Sequence, residues 1–287
     1  YMDELLCRLS RLGVGCHLHG EFVGSLCYAD DMTLIAPSYS ASKQLLSVCE
    51  SFSREYDVMF NSTKSHVLVF NSLNVTTRAK LSLNGAPIEY VDHALHLGTY
   101  IGVEDSALNI RKAQGDIYAR VNLLHSRFHY CSYDVLRTLF VSYCTSYYGC
   151  PLWDLREHNI EPLSIAWRKG VRRLFDLHNQ THSRFIPRLI GLPNINTVLI
   201  SRFAQFFSHC FFSPNSVVAN CARLALNSGS VVNNNVNILC SLLNCNHSTL
   251  CSIVQNNLRV STYVIARCLN SLSEEDESTC QCIIELL

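Results

Sequence analysis

The sequence predicts an α+β protein: a small antiparallel sheet with a helix packed on it comes first, and an all-helical region follows. Short apolar runs broken by Gly, Asn and Asp predict strands and tight turns up to about residue 103. From about residue 104 the apolar positions recur every three to four residues, which is the period of a helix. We therefore expect three regions, 1–103, 104–215 and 216–287, the last one helical and without an evident role.

Composition favours a packed core, because 48% of the 287 residues are hydrophobic and 16% are charged. Basic and acidic residues number 23 each, so a nucleic-acid surface requires local segregation of positive charge. The sequence shows neither a signal-peptide pattern nor an unbroken apolar run of about 18 residues. We therefore expect an intracellular protein of the nucleus or cytoplasm, neither secreted nor in a membrane, whose 15 cysteines are reduced core thiols.

The first residues predict a helix and then a short strand–turn–strand unit. Leu5 and Leu9 recur at helical spacing and mark the apolar side of that helix. Cys16, His17 and His19 follow, and their side chains are of the kinds that bind zinc. No further ligand is near them in sequence, so ordinary strand residues are the better interpretation.

The central feature of the first region is the run Tyr28-Ala29-Asp30-Asp31, with apolar residues on both sides. Residues 22–28 and 32–36 predict two short, mostly buried strands, with both aspartates at the turn between them. Adjacent carboxylates repel each other unless a cation is present, and hard oxygen ligands suit Mg²⁺ together with substrate phosphates. This is the metal arrangement of nucleotidyl transfer. The alternative is a hairpin turn whose carboxylates face water.

A helix is predicted next, capped by Ser38 or Ser40 and ending near Asp57. Its apolar face consists of Leu45, Cys49, Phe52 and Tyr56.

Further strands and turns complete the first region. Residues 61–65 predict a turn that leads into a strand at 67–70. Asn84-Gly85 is typical of a two-residue hairpin turn. Residues 95–101 predict one more short strand.

Three helices are predicted in the second region, from about residue 104 to 128, 132 to 148 and 165 to 178. Residues 227–237, rich in Asn, Ser, Gly and Val, predict a loop. The apolar faces of the first two helices consist of Ile110, Ile117, Val121, Leu124 and Phe128, and of Leu136, Phe140, Tyr143 and Tyr147.

The third of these helices carries the strongest basic segment of the chain. A cationic helix with aromatic residues in it suits contact with a nucleic-acid backbone. The alternative is a solvated helix face. The basic residues are Arg168, Lys169, Arg172 and Arg173, and the aromatic ones are Trp167 and Phe175.

Three motifs in order resemble those of reverse transcriptases from LINE-type (non-LTR) retrotransposons. Tyr28-Ala29-Asp30-Asp31 resembles the Tyr-x-Asp-Asp box, and Asn61 to Lys64 with the strand after it resembles the next motif of that family. Residues 96–102 resemble the primer-grip motif. Two later runs, 147–153 and 167–177 followed by 188–193, resemble the region after the polymerase core, so the resemblance covers about residues 1–215.

The resemblance implies part of a polymerase palm followed by a helical thumb and connection region. It assigns Asp30 and Asp31 as catalytic Mg²⁺ ligands and Lys64 as a catalytic group that donates a proton or stabilises charge on the leaving pyrophosphate. A solvated turn lysine is the alternative for Lys64. An RNA template, a DNA primer and a deoxynucleoside triphosphate are the implied partners, with no membrane. The resemblance implies that Leu97, Gly98 and Gly102 contact the primer. Further candidates for nucleic-acid contact are Tyr28 and the basic residues of the third helix, Arg168, Lys169, Arg172 and Arg173.

The catalytic set implied by the resemblance is incomplete in this sequence. In that family a further metal-binding Asp lies on an earlier strand, and no residue here fills its role. We therefore expect the C-terminal piece of an RNA-directed DNA polymerase, inactive alone. For Gly98 and Gly102 the alternative is a pair of strand bulges. For the whole chain one alternative is a non-catalytic relic that binds RNA, DNA or protein. Another is an unrelated Mg²⁺ phosphotransferase, but that class would leave the two later motifs unexplained.

Overall fold

The computed structural model describes residues 2–70, 80–103 and 105–256, which divide into two compact units. Among these residues the first unit comprises 2–70, 80–96, 101–103 and 215–220, and the second comprises 97–100, 105–214 and 221–256. The chain is mixed helix and sheet, as the α+β class requires. The part of the predicted 216–287 region after residue 256 lies outside the described residues.

Most of the β structure precedes residue 103, together with two helices. The elements are α1 (Met2–Arg11), β1 (His17–Leu18), β2 (Glu21–Phe22), β3 (Ser25–Tyr28), β4 (Asp31–Leu34), α2 (Tyr39–Tyr56), β5 (His66–Val67), β6 (Ser82–Leu83), β7 (Ala86–Pro87), β8 (Glu89–Tyr90), β9 (His93–His96) and β10 (Thr99–Gly102).

Helices make up the rest of the described chain. They are α3 (Asp105–Phe128), α4 (Tyr133–Leu139), α5 (Glu157–Leu174), α6 (Ile186–Leu189), α7 (Ile195–Phe211), α8 (Ser216–Leu226), α9 (Val231–Leu243) and α10 (His247–Asn256). A π-helical turn, Phe140–Cys144, follows α4, and 3₁₀ turns lie at Ser62–Lys64 and Cys150–Leu152.

Short two-stranded ladders, rather than one continuous sheet, form the β structure of the described residues. The ladders β1–β2, β3–β4 and β6–β7 are antiparallel, and β9 pairs with β10. The ladder β5–β8 is parallel, so the prediction of a wholly antiparallel sheet is wrong there. Asn84 and Gly85 both have positive φ angles (52° and 77°) between β6 and β7, which confirms the predicted hairpin turn.

The core of the first unit contains α1 and α2, as the helical spacing predicts. Ser38 caps α2, because its side-chain oxygen accepts a hydrogen bond from the Ala41 N–H at 3.2 Å, and Asp57 ends the helix in the left-handed conformation. Both predicted ends of this helix are confirmed. The fully buried residues of the core are Leu5, Leu9, Leu45, Cys49 and Phe52.

The core of the second unit contains α3, α5, α7 and α9. The helices α3 and α5 approach closely at Gly170, where a Cβ atom would lie 3.1 Å from Cγ2 of Val121 and 3.3 Å from Cγ2 of Ile117. The predicted face of α3 is confirmed, with Phe128 at its edge only partly buried.

Two of the helices in this unit differ from the prediction. The helix predicted over 132–148 ends at Leu139, and the π-helical turn after it changes the period, so Tyr143 is exposed whereas Tyr147 is buried. The helix predicted from residue 165 begins already at Glu157.

The loop predicted over 227–237 is wrong after residue 230, because α9 begins at Val231. Ser230 caps this helix by accepting a hydrogen bond from the Asn233 N–H at 3.2 Å. The buried Asn235 donates to the Trp153 carbonyl at 2.8 Å and accepts from the Leu155 N–H at 3.0 Å. Polar composition therefore concealed a helix that Ser230 caps and whose buried Asn235 bonds the backbone of the segment 153–155.

All cysteines in the described ranges carry free thiols. Burial raises the pKa of Cys49 and of Cys144 to about 12, so both stay protonated at neutral pH. Cys7 and Cys221 are exposed, so the prediction of core thiols holds only for some of the cysteines. Within the described ranges no helix has the length and apolar character needed to cross a membrane.

We predict that Gly170→Leu lowers the free energy of unfolding by about 2–3 kcal/mol, because the new side chain must displace Val121 and Ile117 of α3. The matched control is Gly115→Leu on α3, where a Cβ atom meets nothing within 4 Å. There the gain in helix propensity raises the free energy of unfolding by about 0.5–1 kcal/mol. Urea denaturation measures both values. Equal stabilisation by the two changes would contradict the close approach of α3 and α5.

Candidate functional site

The β3–β4 hairpin holds the two aspartates in different positions. Tyr28 pairs with Asp31, so the loop consists of Ala29 and Asp30 alone. Ala29 takes a positive φ of 53°, which turns the chain within two residues. Asp31 is therefore the first residue of β4, and the prediction that both aspartates lie in the turn is correct only for Asp30.

The tip of this hairpin is open to solvent. Tyr28 is 69% exposed, and Asp30 and Asp31 are exposed as well. Leu26 is exposed too, whereas Met32 and Leu34 are partly buried against the α1–α2 core. The prediction of mostly buried strands is wrong because that core packs against Met32 and Leu34 but leaves Leu26 and Tyr28 exposed.

The electrostatic surroundings of the two carboxylates are simple. In the described part of the chain, no Lys, Arg or His forms an ion pair with Asp30 or Asp31. No group of three or more His, Cys, Asp or Glu side chains is placed there to hold a metal ion. Both carboxylates are therefore accessible to a cation from solvent, but within the described residues they do not form a closed metal site.

One contact connects this hairpin to the run that resembles the primer grip. Nε2 of His96, the last residue of β9, lies 3.4 Å from the hydroxyl oxygen of Thr33 on β4. Thr33 is two residues after Asp31, so the first unit brings the start of that run close to the carboxylate-bearing strand.

Hydrogen bonds to the Asn61 side chain hold the 3₁₀ turn that contains Lys64. The Asn61 side-chain oxygen accepts hydrogen bonds from the Thr63 N–H at 3.0 Å, the Lys64 N–H at 3.2 Å and the Thr63 hydroxyl at 2.7 Å. Asn61 thereby caps the 3₁₀ turn, which confirms the predicted turn. The strand that follows is only His66–Val67. Lys64 is exposed, and its catalytic role stays a prediction.

The strand predicted over 95–101 is instead a hairpin turned at Leu97-Gly98. Leu97 has a φ of 47° and Gly98 a φ of 80°, between strands β9 and β10. A leucine in the left-handed conformation is uncommon, which is why the apolar run predicts a continuous strand. Neither glycine of the motif lies at a strand bulge: Gly98 lies at a hairpin tip and Gly102 at the end of β10.

Within the second unit, α3 fixes this turn by hydrogen bonds. Oδ1 of the buried Asn109 accepts from the Tyr100 N–H at 2.9 Å and the Thr99 hydroxyl at 3.1 Å, and its Nδ2 donates to the Tyr100 carbonyl at 2.9 Å. Lys112 Nζ donates to the Gly98 carbonyl at 2.9 Å. Asn109 is a key residue that was not predicted, because its only signal in the sequence is a polar side chain beside the apolar stripe of α3.

Contacts within the first unit explain why residue 102 is a glycine. A Cβ atom there would lie 2.2 Å from the Asp92 carbonyl oxygen, and the φ of Gly102 is 138°. The neighbouring Val103 N–H donates to the same carbonyl at 2.8 Å. The backbone therefore requires glycine at position 102 without a primer, and a primer contact for Gly102 stays a prediction.

The predicted basic surface of α5 separates into two kinds of residue. Arg168 forms an ion pair with Glu161 at 2.7 Å. Arg172 donates to the Thr181 carbonyl at 2.9 Å and to the Ser183 hydroxyl at 3.1 Å. Desolvation, and then repulsion from Arg168, lowers the pKa of Arg172 from its usual value. These two arginines therefore bind the protein's own groups.

Lys169 and Arg173 are the exposed cations of this helix, one turn apart on α5. Neither forms an ion pair with a residue in the described ranges. Trp167 and Phe175 are 3% and 7% exposed. The expectation that these aromatic rings accompany the basic face is wrong, because both rings pack in the core and cannot stack on bases.

Comparison with known proteins adds no relative. No protein-family model matches the chain, and a search of curated proteins returns no match.

We predict that Asn109→Ala destabilises the second unit by about 2–4 kcal/mol, because it removes three hydrogen bonds and leaves Tyr100 backbone groups unpaired. The comparison is Lys112→Ala, which removes one hydrogen bond of an exposed side chain and costs about 1 kcal/mol or less. Chemical denaturation measures both changes. Equal losses for the two variants would show that Asn109 does not hold the turn.

Proposed function

We propose that this chain is part of an RNA-directed DNA polymerase of the reverse-transcriptase type, in which Asp30 and Asp31 bind the catalytic metal. The observation that carries the proposal is the β3–β4 hairpin, which presents both carboxylates at an exposed tip. The capped turn at Asn61 and the hairpin tip at Leu97-Gly98 follow in the order of the family's motifs. The substrates would be an RNA template, a DNA primer and a deoxynucleoside triphosphate.

Mg²⁺ is the ion whose chemistry these residues fit. It binds through one or two carboxylates and completes its shell with water and substrate phosphates, so an open pair of aspartates is enough to bind one ion. The chemistry that Mg²⁺ supplies in such an enzyme is activation of the primer 3′-hydroxyl and neutralisation of charge on the triphosphate. The contribution of this chain is to fix the two carboxylates on a hairpin whose register is set by four residue pairs.

The two carboxylates of the hairpin are too few for this chain to polymerise alone. Polymerase chemistry of this family uses three carboxylates, and in the described residues no third metal-binding side chain joins Asp30 and Asp31. We therefore expect no product in a Mg²⁺-dependent primer-extension assay with this chain. Extension that depends on Asp30 would show that a third ligand is supplied by residues outside those described.

We predict that Mn²⁺, added with a deoxynucleoside triphosphate, selectively broadens the amide NMR signals of Ala29 and its neighbours, because Mn²⁺ occupies the same oxygen sites as Mg²⁺. The double variant Asp30→Asn, Asp31→Asn should remove the broadening. The control is Asp57→Asn, an exposed aspartate in the left-handed conformation that asparagine also adopts readily.

Two outcomes would contradict the metal role. The signals of the hairpin tip could stay sharp at Mn²⁺ concentrations that broaden a free nucleotide. They could also broaden equally in the double variant, which would locate the ion elsewhere.

A second candidate function is a non-catalytic nucleic-acid-binding module. The observation in its favour is the exposed pair Lys169 and Arg173 on α5, which bind no described partner. Cations free of internal partners can replace the counterions of a phosphate backbone, and such binding weakens as salt rises. The carboxylates of the hairpin would then be without a catalytic role.

We predict that Lys169→Ala with Arg173→Ala weakens binding of a primer–template duplex and lowers the slope of log K against log salt by about 1.8, for two lost phosphate contacts. The matched control is Lys43→Ala with Arg54→Ala, an equal loss of charge on the exposed side of α2. Fluorescence anisotropy at several salt concentrations measures the slopes. Equal slopes for both double variants would exclude α5 as the binding surface.

A further inference from the structure

The second unit contains a cleft of about 230 Å³ beside the turn at Gly98. Lys112, Asp116 and Arg120 of α3 line it on one side. Tyr147 and Trp153, from the segment after the π-helical turn, also line it. The carboxylate hairpin contributes no residue to the lining of this cleft, and the metal role proposed for Asp30 and Asp31 does not use it.

Two buried donors of this cleft lack partners. Tyr147 is 5% exposed and Trp153 is 1% exposed. Neither the Tyr147 hydroxyl nor the Trp153 Nε1–H meets a hydrogen-bond partner among the described residues. Burial raises the pKa of Tyr147, so its hydroxyl keeps its proton and remains a donor. An unpaired buried donor is costly, and an acceptor that reaches these atoms removes that cost.

The charged side chains of the cleft also favour an acceptor. Lys112 uses Nζ on the Gly98 carbonyl at 2.9 Å, and an ammonium carries further N–H donors. Arg120 donates through Nη1 to the Tyr143 carbonyl at 2.8 Å, and its Nη2 lies 3.6 Å from Asp116. Two cations against one carboxylate leave the lining with a net positive charge.

The size of the cleft limits the ligand. Pockets for drug-sized molecules range from about 300 to 1,000 Å³, and this cleft is smaller. Four donor side chains arranged around it suit a group with several acceptor oxygens better than a carboxylate with two. A tetrahedral phosphate group meets both conditions.

We propose that the cleft lined by Lys112, Arg120, Tyr147 and Trp153 binds a phosphate group, which accepts hydrogen bonds from the Tyr147 hydroxyl and the Trp153 indole and ion-pairs with Lys112 and Arg120. This site does not depend on the polymerase proposal. The phosphate can belong to inorganic phosphate, to a mononucleotide or to a polynucleotide, and the experiment separates these sources.

The indole N–H signals of the full chain provide a direct test, because its two tryptophans are Trp153 and Trp167. Trp167→Phe assigns the signals in a ¹H–¹⁵N spectrum. Titration with inorganic phosphate at constant ionic strength, with chloride as the reference salt, should shift the Trp153 signal saturably and leave that of Trp167 unchanged. Parallel titrations use a 5′-mononucleotide and a short single-stranded oligonucleotide.

Tyr147→Phe should raise the dissociation constant about tenfold, because it removes one hydrogen bond to a charged group. The matched control is Tyr130→Phe, which alters a phenol that is 76% exposed and does not line the cleft. Lys112→Gln gives a second test at an exposed position, with Lys43→Gln on α2 as its control. Folding of each variant is verified by circular dichroism.

The ligand that saturates the Trp153 signal at the lowest concentration identifies the source of the phosphate. The proposal is overturned when none of the three ligands shifts this signal saturably. It is also overturned when Tyr147→Phe and Lys112→Gln bind as tightly as their controls, since the donors would then have no part in binding.

Discussion

The close approach of α3 and α5 at Gly170 is the constraint on which the helical unit depends. With no side chain at that position, Val121 and Ile117 of α3 lie within van der Waals distance of the α5 backbone. This contact fixes the helix that carries Asn109 and Lys112, and those two residues in turn hold the turn at Leu97-Gly98. The helix that packs closely at the buried Gly170 thus also carries the two side chains that bond the turn.

The sequence predicted those parts of the structure in which a residue and the conformation it determines lie within a few positions of each other. The cap at Ser38, the left-handed end at Asp57 and the turn at Asn84-Gly85 follow from the conformations that these residue types prefer. Prediction failed where distant groups decide. Leu97 takes a left-handed conformation in a turn whose neighbouring residues bond to Asn109. Asn235 lies in a helix, where its side chain pairs with the backbone of Trp153 and Leu155.

The same distinction applies to the candidate sites. A short run of residues determines the hairpin turn at Asp30, so the sequence could predict that turn, but the strand pairing that makes Asp31 the first residue of β4 was not predicted. The role of a basic residue is not determined locally. Arg168 binds Glu161, two turns earlier on the same helix, and Arg172 binds Thr181 and Ser183 of the segment after α5, whereas Lys169 and Arg173 have no such partner among the described residues. A cluster of positive charge in a sequence therefore overestimates the charge that is free to bind phosphate.

The segment 147–153 shows that a run resembling a protein family can reflect packing instead of chemistry. Gly149 has a φ of 76°, and a Cβ atom there would lie 3.0 Å from the Thr99 hydroxyl. Cys150 and Trp153 are 1% exposed and belong to the core. Packing in the second unit constrains these positions, so the residue types of this run need no catalytic explanation. The unpaired donors of Tyr147 and Trp153 are the exception, because packing alone gives no reason for a buried N–H or O–H without an acceptor.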